Sequence, residues 1–171
     1  IPYPNITFDS YWITSVAVDK NGHIWLGTKD WRMYLSEYIG SEWVIRETPD
    51  PAVGTHVYRI ETDRKGNVWV SFENLVRYNT GEIYWDIYPA SIYIDRDDNV
   101  WIGAEDGVWK FDGETFKHFD ESDGFPSILM DVLTVSEDSS GKKYFGARGW
   151  DEFDNPRYYI LTFDGNSWSY K

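Results

Sequence analysis

Cysteine is missing altogether from this sequence of 171 residues, which excludes disulfides and thiolate metal sites. The absence does not assign a reducing compartment, because a chain with an adequate core does without disulfides anywhere. Histidine is limited to His23, His56 and His118, too dispersed for a zinc spacing, and nothing in the sequence pairs one of them with a nucleophile. Basic residues are scarce: 16 Lys and Arg stand against 29 Asp and Glu, for a net charge of −13. Such a field repels phosphate backbones, so nucleic acid is not an expected partner. No apolar run approaches the roughly 18 residues that span a bilayer, and no basic amphipathic segment is present to lie on one. The expectation is a soluble chain without direct membrane insertion. Its first residues, IPYPNITFD, lack the positive region and apolar core of a secretory signal, as expected of a sequence that begins after processing or inside a longer chain.

Aromatic residues are abundant, at 19% with ten Trp and thirteen Tyr. They fit a pleated, half-buried surface, and helix signals are few, so the fold class is all-β. The length suggests about one domain, 1–171.

Within that chain one phrase recurs. DKNGHIW from Asp19 to Trp25, DRKGNVW from Asp63 to Trp69 and DRDDNVW from Asp95 to Trp101 are followed by a weaker copy, DSSGKKY, from Asp138 to Tyr144. The aromatics are 44, 32 and 43 residues apart, a period that marks a repeat architecture. Around each copy lie four short strand signals, clearest in the third, where GVWKF and TFKHF flank the tight turn Asp112-Gly113. Four strands and about 43 residues per unit describe the blade of a β-propeller. Approximate blades cover 13–47, 57–88, 90–119 and 131–171. An irregular sandwich or barrel would not need one strand–turn–strand phrase four times. Trp25, Trp69, Trp101 and Tyr144 are expected between blades. Asp19, Asp63, Asp95 and Asp138 are expected to accept the backbone N–H groups of their own turns. A calcium loop would need oxygen ligands at alternate positions and a bidentate Glu at the twelfth, which no copy supplies. Neither a metal nor any other cofactor is expected.

The phrase D-x-x-G-N-[IV]-W-[IVL]-G-T, followed by G-V-W-K-F-D-G-x-T-F, resembles the two-component regulator propeller repeat over nearly the whole chain. The likeness is strongest from Ser91 to Phe119 and weakest in the fourth copy, where Lys143 and Tyr144 replace the apolar–Trp pair. It implies an extracytoplasmic sensor propeller of the kind found in hybrid histidine-kinase systems that respond to polysaccharide fragments, and so a periplasmic or extracellular location. More distantly the blades are similar to those of streptogramin-lyase-like propellers. Relatives of both kinds use rings of about seven blades, within the usual span of propellers. The four blades here then belong to a larger ring in a longer parent chain, pair with a second copy as a homodimer, or close on themselves.

Binding residues are expected on the loops that leave each second strand or lead into a new blade. The segments Asp120 to Asp131 and Arg148 to Arg157 are longer than the blade pattern requires. Trp31 with Arg32, and Arg148 with Trp150 and Asp151, pair a ring with a planar cation, suited to stacking on a sugar or clasping a carboxylate. In the plainer reading each Trp covers an apolar edge and each Arg bonds a neighbouring carboxylate. His56 and Glu105 complete the candidate rim. The expected function is non-enzymatic recognition of an extracellular carbohydrate or a protein partner. The alternatives are an assembly module that packs against other blades, and a lyase or hydrolase.

Overall fold

A computed structural model describes residues 12–29, 35–54, 56–125, 131–150, 153 and 155–171. The chain divides into two compact units, Ile1–Ile87 and Tyr88–Lys171. Each unit holds two antiparallel sheets of four strands, with the strands adjacent in sequence order. These are β-propeller blades.

In the first unit, blade one is β1 (Trp12–Val18), β2 (Ile24–Lys29), β3 (Leu35–Tyr38) and β4 (Trp43–Arg46). Blade two is β5 (Arg59–Thr62), β6 (Val68–Ser71), β7 (Leu75–Arg77) and β8 (Glu82–Tyr84). A single 3-10 turn, Pro51–Val53, lies between them, and Asp50 caps it by accepting the Ala52 N–H at 2.8 Å. The shared core joins Trp25 and Leu35 of blade one to Val57, Ile60, Val70 and Val76 of blade two. Close approach explains a glycine on the second strand: a Cβ on Gly27 would run into Val57 Cγ1. Hydroxyls stitch the same joint. Thr14 donates to Val57 O at 2.5 Å, Ser15 Oγ accepts the Ile60 N–H at 3.0 Å, and Thr62 donates to Val18 O at 2.8 Å.

In the second unit, blade three is β9 (Pro89–Ile94), β10 (Val100–Ala104), β11 (Gly107–Phe111) and β12 (Phe116–Phe119). Blade four is β13 (Asp131–Glu137), β14 (Lys143–Trp150), β15 (Pro156–Phe163) and β16 (Trp168–Tyr170). Trp101 and Val108 of blade three pack with Val132, Phe145 and Leu161 of blade four. Trp101 stands 5.8 Å, centre to centre, from the rings of both Phe145 and Phe163. Gly103 repeats the role of Gly27, since a Cβ there would meet the Val132 carbonyl.

All four turns share one geometry, which accounts for the six-residue spacing from Asp to aromatic. The Asp N–H donates to the carbonyl of the residue four ahead, in Asp19, Asp63, Asp95 and Asp138 alike. Its carboxylate accepts backbone N–H groups of the turn, among them those of His23, Asn67, Asn99 and Lys142. The second carboxylate oxygen accepts from the aromatic: Trp25 Nε1 at 3.3 Å, Trp69 Nε1 at 3.0 Å, Trp101 Nε1 at 2.8 Å and the Tyr144 hydroxyl at 3.0 Å. A phenol thus replaces an indole without losing the bond. The fourth residue of each turn takes a positive φ, which glycine supplies at 22, 66 and 141 and Asp98 supplies at 67°.

The aromatics themselves differ in burial. Trp25, Trp69 and Trp101 are 5%, 0% and 3% exposed, whereas Tyr144 is 37% exposed. Tyr144, expected between blades, therefore lies on an open face of blade four.

Candidate functional site

Blade four departs most from the pattern, and its departure carries two of the rim residues, Arg148 and Trp150. β14 pairs with β15 through eight residues, against five for β10 and β11 and four for β2 and β3. Past Ala147 the additional pairs are Arg148↔Tyr158, Gly149↔Arg157 and Trp150↔Pro156. Much of the segment expected as a loop from Arg148 to Arg157 is thus strand, which places its side chains on a rigid ladder. Strand alternation puts Arg148 and Trp150 on the side of Tyr144, while Phe145, Ala147 and Gly149 are buried on the other.

Arg148 is pinned. Its Nε donates to Asp131 Oδ2 at 3.2 Å and its Nη2 reaches the same oxygen, across the β13–β14 pair Asp131↔Arg148. The guanidinium carbon stands 5.1 Å from the centre of the Trp150 ring. A cation held by a carboxylate thus braces a ring that remains 42% exposed, beside the exposed Tyr158. An aromatic face fixed in this way suits the C–H face of a sugar or an apolar side chain. Because Arg148 is committed to Asp131, the clasping of a ligand carboxylate is not its evident role. Asp151, Trp31 and Arg32 lie outside the described residues.

The other described rim candidates belong to other blades. Glu105 is exposed in the turn between β10 and β11. Its neighbour Asp106 accepts from Trp109 Nε1 at 3.0 Å, and the Trp109 ring stacks on His118 at 4.3 Å. His56 is half-buried with its ring 6.1 Å from that of Tyr58.

One cluster was not legible in the repeat. Asp19, His23 and Glu37 each place one ligand atom within 4.8 Å of the others, a spacing that could hold a cation. His23 Nδ1 lies 2.7 Å from Glu37 Oε1, Arg46 binds the other Glu37 oxygen, and Trp25 Nε1 occupies Asp19 Oδ2. Burial pushes the Asp19 carboxyl up, but bonds from the His23 N–H and the Trp25 indole, with the nearby His23, hold it below its ordinary value. The carboxylates of Asp19 and Glu37 are thus already engaged by the turn, by His23 and by Arg46.

Comparison with known proteins now bears on the repeat. Residues 7–30 match the family described as Two component regulator propeller. The chain resembles a two component regulator propeller. No curated protein matches it. Among solved structures, the extracellular domain of a hybrid two component system from B. thetaiotaomicron matches with a TM-score of 0.68 and 17% identity, over 99% of this chain and 26% of that one. The extracellular domain of a one component system from the same organism matches with a TM-score of 0.64 and 14% identity, over 94% of this chain and 23% of that one. A catalytically inactive virginiamycin B lyase from Staphylococcus aureus, with quinupristin, matches with a TM-score of 0.64 and 12% identity, over 99% of this chain and 73% of that one. At these identities the likeness is one of fold. The propeller repeats here span about a quarter of the length of these two extracellular domains.

Proposed function

We propose that this chain is a non-enzymatic recognition segment of an extracellular or periplasmic sensor propeller, and that the extended β14–β15 hairpin contacts an extracellular carbohydrate. The observation that carries this reading is the braced, open ring of Trp150 on three residue pairs that the blade itself does not need. A rigid aromatic platform loses little entropy on binding, and its hydrophobic face accepts the C–H face of a pyranose while Tyr158 and the Arg148–Asp131 pair supply polar edges. The extracellular sensor domains of like fold support the location.

Screening the chain against neutral and acidic oligosaccharides, followed by titration calorimetry of any hit, tests the reading. Trp150→Ala should weaken binding about tenfold or more, as truncation of an aromatic anchor does. A screen in which nothing is retained, or a hit that binds Trp150→Ala as it binds wild type, would sink it.

A further inference from the structure

Four places after the aromatic of each second strand, where the strand reaches the rim, stand Lys29, Glu73, Glu105 and Arg148 in the four blades. Blades one and four thus carry a cation there, and each sets it against a ring. Arg148 lies against Trp150 of its own strand, whereas Lys29 Nζ stands 5.6 Å from the centre of the Tyr58 ring in the next blade.

The two cations differ in what faces them across the ladder. In blade four the pair Asp131↔Arg148 adjoins Val132↔Ala147, and the Asp131 carboxylate accepts from the guanidinium. In blade one the same register sets Trp12↔Lys29 beside Ile13↔Thr28. Directly paired residues project from one side of a sheet, so an indole stands where Arg148 finds its carboxylate. No ion pair joins Lys29 to a carboxylate among the described residues. In a chain of net charge −13, an ammonium faced by rings instead of acids is an exception.

Tyr58 is equally particular. Val57 meets Gly27 as Val132 meets Gly103, so the residues that follow, Tyr58 and Leu133, correspond. At the joint of blades three and four the cation and ring of the first unit are therefore replaced by Glu105 and Leu133, and a joint forms without them. The Tyr58 ring is 40% exposed, and the half-buried His56 lies 6.1 Å from it. The Val57 N–H donates to the Thr28 carbonyl at 3.3 Å, which fixes the two segments beside each other.

We propose that Lys29, Trp12, Tyr58 and His56 form a second contact, for the carboxylate-bearing ring of an acidic sugar, a uronate. Lys29 donates to the carboxylate in a charge-assisted hydrogen bond, and the aromatic rings take the C–H face of the pyranose. One ammonium matches one carboxylate, whereas a phosphate group would call for the fork of an arginine or a nest of backbone N–H groups. The class of ligand rests on the carbohydrate reading above, but the residues belong to the first unit and do not include Trp150.

The test is a titration of the chain with sodium galacturonate, with galactose and with triglutamate at equal ionic strength, followed by NMR of the imidazole C–H signals. Only three histidines are present, and His56→Gln assigns the signal of interest. Galacturonate should move the His56 signal saturably and leave those of His23 and His118 in place, while galactose, which differs only in lacking the carboxylate, should do far less. Lys29→Gln should weaken the response about tenfold or more, as loss of a hydrogen bond to a charged group does, and Tyr58→Leu should weaken it too. Trp150→Ala should leave it unchanged, so this contact and the β14–β15 hairpin can fail separately. No saturable movement of His56, an equal response to galactose, or a response indifferent to Lys29→Gln would each overturn the proposal. A stronger response to triglutamate would overturn it in favour of an acidic peptide.

Discussion

The two blade-to-blade joints start from the same repeat and are fastened differently. In the first unit the fasteners include hydroxyls and two lysines, with Lys20 Nζ donating to the Lys65 carbonyl at 2.6 Å and Lys29 Nζ standing 5.6 Å from the centre of the Tyr58 ring. The Trp25 ring meets Tyr78 of the next blade edge-on at 5.5 Å. In the second unit a cluster of rings is joined to a buried ionic network. Lys143 Nζ lies 3.0 Å from Glu137 Oε1 and 3.3 Å from Asp95 Oδ2, and stands over the Trp101 ring. Arg96 Nε donates to Glu137 at 2.9 Å, while its other nitrogens reach the carbonyls of Asp138 and Ser139. Burial pushes the carboxyls of Asp95 and Glu137 up. Against it, Trp101 and Asn99 for Asp95, and Lys143 and the Arg96 N–H for Glu137, hold both below their ordinary values. The repeat therefore dictates where blades meet but leaves open what binds them, provided each buried charge finds partners.

The sharpest way to break this comparison is at the equivalent aromatics. Trp101→Ala should cost about 3–5 kcal/mol in denaturant unfolding, as a large-to-small change in a packed core. Tyr144→Ala, at the same place in the repeat but on an open face, should shift the midpoint far less. Equal losses would mean that the two faces are equally packed, contrary to the burial described.

The ionic network makes the next largest difference. Lys143→Met should cost about 3 kcal/mol, because two nearly buried carboxylates lose their shared cation. The pH dependence follows from the direction of the shifts. Asp95 and Glu137 have folded values below their ordinary 3.8 and 4.5, so their contribution is complete above that range and is lost as pH falls through the depressed values. Wild type should therefore lose stability progressively below about pH 4.5, and Lys143→Met should flatten that slope. A profile identical in the two proteins would remove the network as the cause.

The smallest expected effect concerns the acidic cluster peculiar to the first unit. Millimolar zinc or calcium should leave the melting temperature unchanged, because Arg46, Trp25 and the turn N–H groups already occupy the oxygens of Glu37 and Asp19. A reproducible rise that vanishes in His23→Ala would instead make the cluster a metal centre.

Much of the fold was legible because its signals are local. An Asp, a residue of positive φ and an aromatic at fixed spacing specify a turn and the strand after it, whatever surrounds them. The exceptions are instructive. Lys143 stands in the register of Val68 and Val100, and no local rule distinguishes a misplaced charge from one aimed at a carboxylate 48 positions earlier. The hydrogen bond from Tyr144 to Asp138 could have been anticipated from the shared spacing, but only once the indole–carboxylate bond of the other turns was known. On the candidate site, the excess length of the segment after Arg148 was visible, yet its strand character was not, since Gly149, Pro156 and a run of acids read as loop. The pairing of Arg148 with Asp131 depends on a register that the sequence leaves unspecified.

The cation that follows the turn Asp gives the chain a direction. Lys20 bonds a carbonyl 45 residues later, and Arg96 bonds groups 41 to 43 residues later. In both units the donor belongs to the earlier blade and the acceptors to the later one. During synthesis an emerging blade therefore carries its fastener before there is anything to fasten, and becomes secure only when nearly one further repeat has left the ribosome. Stability is then acquired pairwise and forward, as in other arrays whose units depend on their neighbours. A chain stalled between repeats would leave its newest blade the least protected from proteolysis.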